Sequence, residues 1–230
     1  MKIKGLQKLT LLDYPGKVAC TVFLGGCDFR CPYCHNMDIV LDSEAQDVIE
    51  EDYFFDFLKK RAPMLEGVCI TGGEPLMSGE VEAFIRRIRA FGLAIKLDTN
   101  GSYPERLKDL VSKGLVDHVA LDIKHSIEKY PRAAGCTAPL VEKVKQSVSF
   151  LLEGHVSYEF RTTVAKPLHS VGDFDAIGEW IGGDSPYYIQ CFADRETVPD
   201  RTLYPPEKEE LREMLERARL YLPRAELRGI

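Results

Sequence analysis

This 230-residue sequence has no apolar run long enough to span a bilayer. Its first residues, Met1-Lys2-Ile3-Lys4-Gly5-Leu6, lack the apolar stretch of an export signal. It has no surplus of positive charge. Thirty Lys and Arg stand against 36 Asp and Glu, a net charge of −6 that excludes a global pull toward nucleic acid or anionic lipid. It contains no repeat, no low-complexity tract, no charged tail and no evident linker. Nor can its seven cysteines all pair, and an odd count without an export signal argues against a disulfide framework. The expectation is a cytoplasmic protein with neither a nucleic-acid nor a membrane partner.

What is present is ordinary globular composition: 45% hydrophobic and 29% charged residues. The length suits one α/β domain, residues 1–230. Short β-branched, apolar runs occur at 18–24, 67–71, 94–99, 118–123, 158–164 and 187–192. Many are apolar on consecutive residues, as strands covered on both faces are. Helical patterns lie between and after them at 48–61, 79–91, 103–113, 139–152, 174–181 and 206–220. The alternation predicts an α/β fold with a parallel sheet and right-handed crossovers. Six units are too few for a closed eight-unit barrel, so a partial (β/α)6 barrel is expected, with a flat doubly wound sheet second. The notable polar residues all fall at the C-terminal ends of these runs, the edge where such folds bind ligands.

Three cysteines fall within eight residues, in Gly25-Gly26-Cys27-Asp28-Phe29-Arg30-Cys31-Pro32-Tyr33-Cys34-His35-Asn36. The spacing is CxxxCxxC on the loop after the first run. Iron–sulfur cubanes normally take four thiolates, and a zinc site wants a fourth Cys or His at short spacing. His35 adjoins Cys34 and is badly placed to join it on one metal. A cubane on three cysteines leaves one iron open for chemistry. A zinc knuckle or a closed electron-transfer cluster is the competing reading, against which the missing local fourth ligand counts. Cys20, Cys69 and Cys191 lie in predicted strands and read as small core residues.

At Cys27, Cys31, Tyr33 and Cys34 the sequence resembles the radical S-adenosylmethionine (SAM) superfamily, whose signature is CxxxCx(aromatic)C. The resemblance covers nearly the whole chain. Residues 26–36 look most like the activating enzymes of glycyl-radical proteins. Leu11-Leu12-Asp13-Tyr14-Pro15-Gly16-Lys17 is similar to the branch that activates anaerobic ribonucleoside-triphosphate reductase. The resemblance implies a [4Fe–4S] cluster on Cys27, Cys31 and Cys34, and SAM at the open iron. It also implies an external one-electron donor of flavodoxin or ferredoxin type. The reaction would cleave SAM reductively to a 5′-deoxyadenosyl radical that takes a hydrogen atom from a glycine of the partner enzyme.

Other motifs fall into place around that resemblance. Thr71-Gly72-Gly73-Glu74-Pro75 would bind the SAM amino group, the glycines letting a ligand approach the backbone; alone it reads equally as a helix-start turn. Asp98, Thr99 and Asp122 supply hard oxygen donors at neighbouring strand ends, and similar activating enzymes place a monovalent cation there. Asn100, which opens a turn with Gly101, and Lys124 are further expected SAM contacts, as are Tyr33 and His35 beside Cys34. Arg161, flanked by apolar residues, needs an anion: the SAM carboxylate or a structural partner. Gln190 either faces the adenine or is a satisfied strand amide. Two other functions stay open: a radical SAM enzyme for a small molecule or tRNA precursor, such as deazapurine synthesis, and a non-enzymatic iron–sulfur or zinc module.

Overall fold

The computed structural model describes residues 1–41 and 48–229. It contains one eight-stranded sheet in sequential order: β1 (Ile3–Thr10), β2 (Ala19–Leu24), β3 (Gly67–Gly72), β4 (Ala94–Thr99), β5 (His118–Asp122), β6 (Ser157–Val164), β7 (Tyr187–Cys191) and β8 (Ala225–Arg228). β1 runs antiparallel to β2, and every later neighbour is parallel. The short α1 (Met37–Val40) follows β2. Six parallel crossovers carry α2 (Glu51–Arg61), α3 (Val81–Arg89), α4 (Pro104–Ser112), the pair α5 (Tyr130–Ala134) and α6 (Ala138–Leu152), α7 (Asp173–Ile181) and α8 (Lys208–Arg219). The fold is α/β with an open sheet, and β2–β7 with their helices make the expected (β/α)6 unit. No described helix is long and apolar enough to cross a membrane.

The six expected strands all form, with ends within a residue or two of expectation. β1 and β8 add one strand at each edge. The second helix begins at Glu51 rather than residue 48, because Ile49 bridges to Ile3 and keeps the chain extended there. α3 buries Val81, Phe84, Ile85 and Ile88 along one stripe, and its last turn carries Arg86, Arg87 and Arg89, which suit the negative end of the helix dipole. α8 opens with a reciprocal capping box between Glu207 and Glu210 and buries Leu211, Met214 and Ala218.

The parallel strands alternate more than their sequences suggest. Cys20, Val22, Val68, Ile70, Ile95, Leu97, Val119, Leu121, Phe160 and Ile189 join the apolar core. The intervening residues Lys96, Asp98, Asp122, Glu159 and Arg161 share the opposite, inner face, where they pair with one another. At the N-terminal end of the strands Tyr14 closes the inside: it is buried, fits against Gly67 and lies 6.2 Å from the His118 ring. Asp13 beside it accepts a hydrogen bond from Thr21 Oγ1 at 2.5 Å.

At the opposite end, two buried histidines fix the segment after β5. Their rings stack at 4.7 Å. His169 Nε2 donates to the Lys124 carbonyl at 2.9 Å, and its Nδ1 accepts from the Ala165 N–H at 3.3 Å. His125 Nδ1 accepts from the Ser126 N–H at 2.8 Å, while its Nε2 donates to the Leu168 carbonyl at 3.2 Å. Each ring thus uses one donor and one acceptor, the pattern of a neutral imidazole. Burial, and next the facing His169, push His125 down to about 4 against the pull of Asp173. Burial also lowers His169. At these histidines the unfolded chain therefore binds more protons than the folded one between about pH 6.5 and 4, and their contribution to stability falls as pH falls through that window. Urea unfolding of the wild type and His125→Asn should show the stability difference shifting in favour of the variant by up to about 3 kcal/mol as pH falls from about 6.5 to 4; a difference that does not change with pH would contradict this account.

Candidate functional site

The cysteine loop, residues 25–36, has no regular structure of its own and is tied down by its neighbours. Gly26 O accepts from the Glu74 N–H at 2.8 Å, and Arg30 N–H donates to Ala134 O at 3.0 Å. From the segment after β7, Thr197 Oγ1 donates to His35 O at 2.8 Å and Asp200 N–H to Pro32 O at 3.1 Å. The loop so held faces a cavity of about 480 Å3 over the C-terminal ends of the strands. Cys27, Cys31, Tyr33, Cys34, His35, Gly72, Gly73, Asp98, Thr99, Asn100, Asp122, Lys124, Arg161 and Gln190 all line it. Of the residues expected at the site, only Glu74 does not.

All seven cysteines are free thiols. Cys20 is buried in the apolar core, as expected; Cys69 is buried too, but on the inner face, where its Sγ donates to Asp98 Oδ1 at 3.6 Å, and Cys191 is half-buried. Cys27, Cys31 and Cys34 alone line the cavity. Burial pushes Cys27 up to about 12 and Cys31 up to about 11, so both are protonated thiols until a cation draws the proton off. Cys27 Sγ accepts from the Phe29 N–H at 3.4 Å and from Asn100 Nδ2 at 3.6 Å. Donors aimed at a sulfur are the usual outer contacts of metal-bound thiolates. Among the described residues no three His, Cys, Asp or Glu side chains converge on a point as ligands of one ion would. The three thiols instead line one cavity. Three soft donors on one loop, facing room for a multi-atom group, suit an iron–sulfur cluster.

The two glycines at the end of β3 serve the protein's own backbone. A Cβ on Gly73 would lie 1.9 Å from Gly26 O, and one on Gly72, whose φ is +120°, would lie 2.3 Å from Leu24 O. Glu74 is buried beneath them. Its Oε1 accepts from the Leu76 N–H and from Thr99 Oγ1, each at 2.9 Å, and its Oε2 from the Asn100 N–H at 2.6 Å. Burial raises its carboxyl to about 7 despite these donors. Where an acceptor for a ligand ammonium was expected, Glu74 clamps the end of β3 to the end of β4 and holds Asn100 beneath Cys27.

Asp98, Asp122, Lys124 and Arg161 form one charge cluster. Arg161 Nη1 donates to Asp98 Oδ2 at 3.0 Å and Nε to Asp122 Oδ1 at 2.9 Å, while Lys124 Nζ donates to Asp122 Oδ2 at 3.0 Å. Burial acts to raise Asp122, but Arg161 and then Lys124 outweigh it and hold the carboxyl down at about 2. Lys124 is raised, its burial overcome by Asp122. Arg161 thus has a structural anion, the second of its two expected roles, and it stands where a monovalent cation was expected. Among the described residues that line the cavity, two buried polar atoms have no hydrogen-bond partner, Tyr33 Oη and His35 Nε2. Gln190 lines the far side, next to Thr163 in the β6–β7 register.

Asp13, Thr163 and Arg195 also line the cavity and escaped the sequence reading. Thr163 was legible two residues beyond Arg161, on the same face of a strand. Asp13 lies in a noted motif, but nothing in the sequence says that its segment folds into the sheet's interior.

The profile of the radical SAM superfamily matches residues 21–173. A Methanocaldococcus jannaschii protein named for glycyl-radical enzyme activation is 30% identical over 99% of this chain and 96% of its own length. The pyruvate formate-lyase 1-activating enzyme of Escherichia coli is 31% identical over 54% of this chain and 52% of its own. Among solved structures, Escherichia coli QueE superposes with a TM-score of 0.55 at 14% identity, covering 100% of this chain and 94% of that one. Streptococcus suis SuiB bound to S-adenosylmethionine superposes with a TM-score of 0.69 at 11% identity, covering 91% and 52%. These two likenesses concern the fold.

The backbone contact at Gly73 yields a controlled prediction. Gly73→Ala should destabilise by about 1–3 kcal/mol, because Gly26 must move to admit the methyl group. Gly79→Ala meets nothing within 4 Å and should be neutral or slightly stabilising. Urea unfolding of the two variants checks the contrast; equal midpoints would refute it.

Proposed function

The chain belongs to the radical SAM superfamily, and we propose that it holds a [4Fe–4S] cluster on Cys27, Cys31 and Cys34 and generates a glycyl radical on a partner enzyme. The observation that carries this reading is that the three cysteines, and they alone, share a cavity with the polar ends of β3–β7. The likeness to a protein named for glycyl-radical enzyme activation, over nearly the full length of both, supports the activase function. The chemistry supplied by such a cluster with SAM is one-electron cleavage of the sulfonium, giving methionine and a 5′-deoxyadenosyl radical that abstracts a hydrogen atom.

The protein's own part is placement and exclusion of water. The Phe29 N–H and Asn100 amide donate toward Cys27 Sγ and tune the electron density there. Lys124 spends one donor on Asp122 and keeps others for a ligand carboxylate. His35, stacked on Phe192 at 5.4 Å, keeps a buried ring nitrogen for a ligand donor. Gly72, Gly73 and Glu74 act indirectly, by holding the loop and Asn100. Gln190 lines the side toward β7.

Within this reading, anaerobic ribonucleoside-triphosphate reductase is the proposed partner, on the likeness of residues 11–17, and a flavodoxin or ferredoxin type protein the proposed electron donor. The sequence has no second closely spaced cysteine set that would hold an additional cluster.

Anaerobically reconstituted protein should hold four irons and four sulfides per chain. Cys27→Ala, Cys31→Ala or Cys34→Ala should each abolish SAM cleavage, whereas Cys20→Ala should cost only stability. With the reductase, SAM and a reductant, electron paramagnetic resonance should show a doublet that collapses when the target glycine is deuterated at Cα. Stoichiometric zinc without iron would overturn the cluster assignment. SAM cleavage with label entering 5′-deoxyadenosine from a small molecule, and no doublet, would overturn the activase reading alone.

A further inference from the structure

We propose that Arg161 is a built-in counter-ion: its guanidinium takes the place of a metal ion between Asp98 and Asp122, so the site binds its ligand without a monovalent cation. The two carboxylates stand at the ends of adjacent strands, and Thr99 adds a hydroxyl beside them. By residue type this is a ligand set for a hard cation. The contacts show each of those oxygens already engaged.

Arg161 reaches both carboxylates at once. Its Nη1 lies 3.0 Å from Asp98 Oδ2, and its Nε and Nη2 each lie 2.9 Å from Asp122 Oδ1. The remaining oxygens have ammonium partners, Lys96 on Asp98 Oδ1 and Lys124 on Asp122 Oδ2. The Thr99 hydroxyl donates to Glu74 Oε1 at 2.9 Å and accepts from the Gly101 N–H at 3.0 Å. An incoming ion would have to displace a cation from every carboxylate oxygen it approached.

The charge balance points the same way. Asp98, Asp122 and Glu159 on the inner face pair with Lys96, Lys124, Arg161 and Arg228. Three carboxylates already face four cations, so an added ion would enlarge a positive surplus. Displacement is also costly. Arg161 is 13% exposed and Asp98 12%, and the other carboxylate near Arg161, Glu159, already receives Arg228 at 3.0 and 3.1 Å. Stripping a buried guanidinium of its partners costs several kcal/mol, more than a weakly held monovalent ion returns. A guanidinium is charged at every working pH and cannot be washed out.

This makes Arg161 a positioning residue, holding Asp98 and Asp122 and, through Asp122, Lys124. The inference rests on SAM as the ligand but not on the activase reading. The test compares SAM binding in buffers whose only cation is tetramethylammonium, too large to enter between the carboxylates, with buffers containing K+ or Na+. The wild type should bind within about twofold in all of them, and 205Tl resonance should detect no Tl+ site, since an ion cannot compete with paired guanidinium. In tetramethylammonium, Arg161→Gln should bind SAM more weakly by about tenfold or more and recover most of that on adding K+ or Na+, while Arg161→Lys should need less rescue. A wild type that gains tenfold from K+, or that binds Tl+ in a way Asp122→Asn abolishes, would overturn the proposal. So would an Arg161→Gln protein that binds SAM normally without a metal ion, or weakly and without rescue. If circular dichroism shows that variant unfolded, the two wild-type measurements decide. A wild type that binds no SAM would count against the cofactor assignment, and the Tl+ measurement would still judge Arg161.

Discussion

The site depends on one close backbone approach, between Gly73 and Gly26. The cysteine loop has no helix or strand to hold it, so its shape comes from what it rests on. At Gly73 it rests on the end of β3 so closely that a single methyl group would collide with Gly26 O. The Glu74 N–H then donates to that same oxygen. On the far side Gly135, at φ +56°, lets the end of α5 meet Arg30 equally closely, with room for no Cβ beside Arg30 O. Two glycines thus let the sheet and a helix grip the loop by its backbone, which leaves its three thiols free to face the cavity.

A second constraint is the charged interior. A sheet that curves around a polar cavity must place ionic groups where water is scarce, and an unpaired charge there costs several kcal/mol. Here the cost is offset by complete pairing. Lys96, 1% exposed, meets Asp98, and Glu159, 2% exposed, takes both Nη atoms of Arg228. Arg228 also stacks over Tyr188 at 3.5 Å, so the last strand is fastened to the layer that carries Asp98 and Asp122. Edge strand and site are parts of one network.

Much of this was legible in the sequence. Six β–α units were visible because β-branched runs and amphipathic helices alternate, and most residues that line the cavity were visible because polar groups gather at the C-terminal ends of the parallel strands. β8 was not, since Ala225-Glu226-Leu227-Arg228 is four residues long and half polar. β1 was not, because its middle is only half-buried, with three consecutive exposed residues near its end. Reading the strands as covered on both faces missed that Lys96, Asp98, Glu159 and Arg161 hold alternate positions on one face, although the two-residue period is plain in Lys96-Leu97-Asp98 and Glu159-Phe160-Arg161.

The reading of the site fell short for a different reason. Residue type shows that a side chain can accept or donate, but not whether a neighbour or a ligand will take the bond. Glu74, Asp98 and Asp122 are all competent acceptors beside a ligand cavity, and their oxygens are all satisfied from within the chain. His35 is an unremarkable residue by type, yet its Nε2 is buried and unpartnered. A buried polar atom without a partner costs free energy unless something external completes it, whereas a satisfied one gains little from a ligand. The groups that a ligand completes are therefore found by subtracting the protein's own bonds from its polar inventory. That subtraction needs coordinates, because the partners come from different strands: Thr99 and Asn100 of β4 and its end for Glu74, and Arg161 of β6 for Asp98 and Asp122. The same subtraction leaves Lys124 with unused donors and Arg161 with two carboxylates already bound, so of two basic residues that looked alike in sequence the duty proposed for one is toward the ligand and for the other toward the frame.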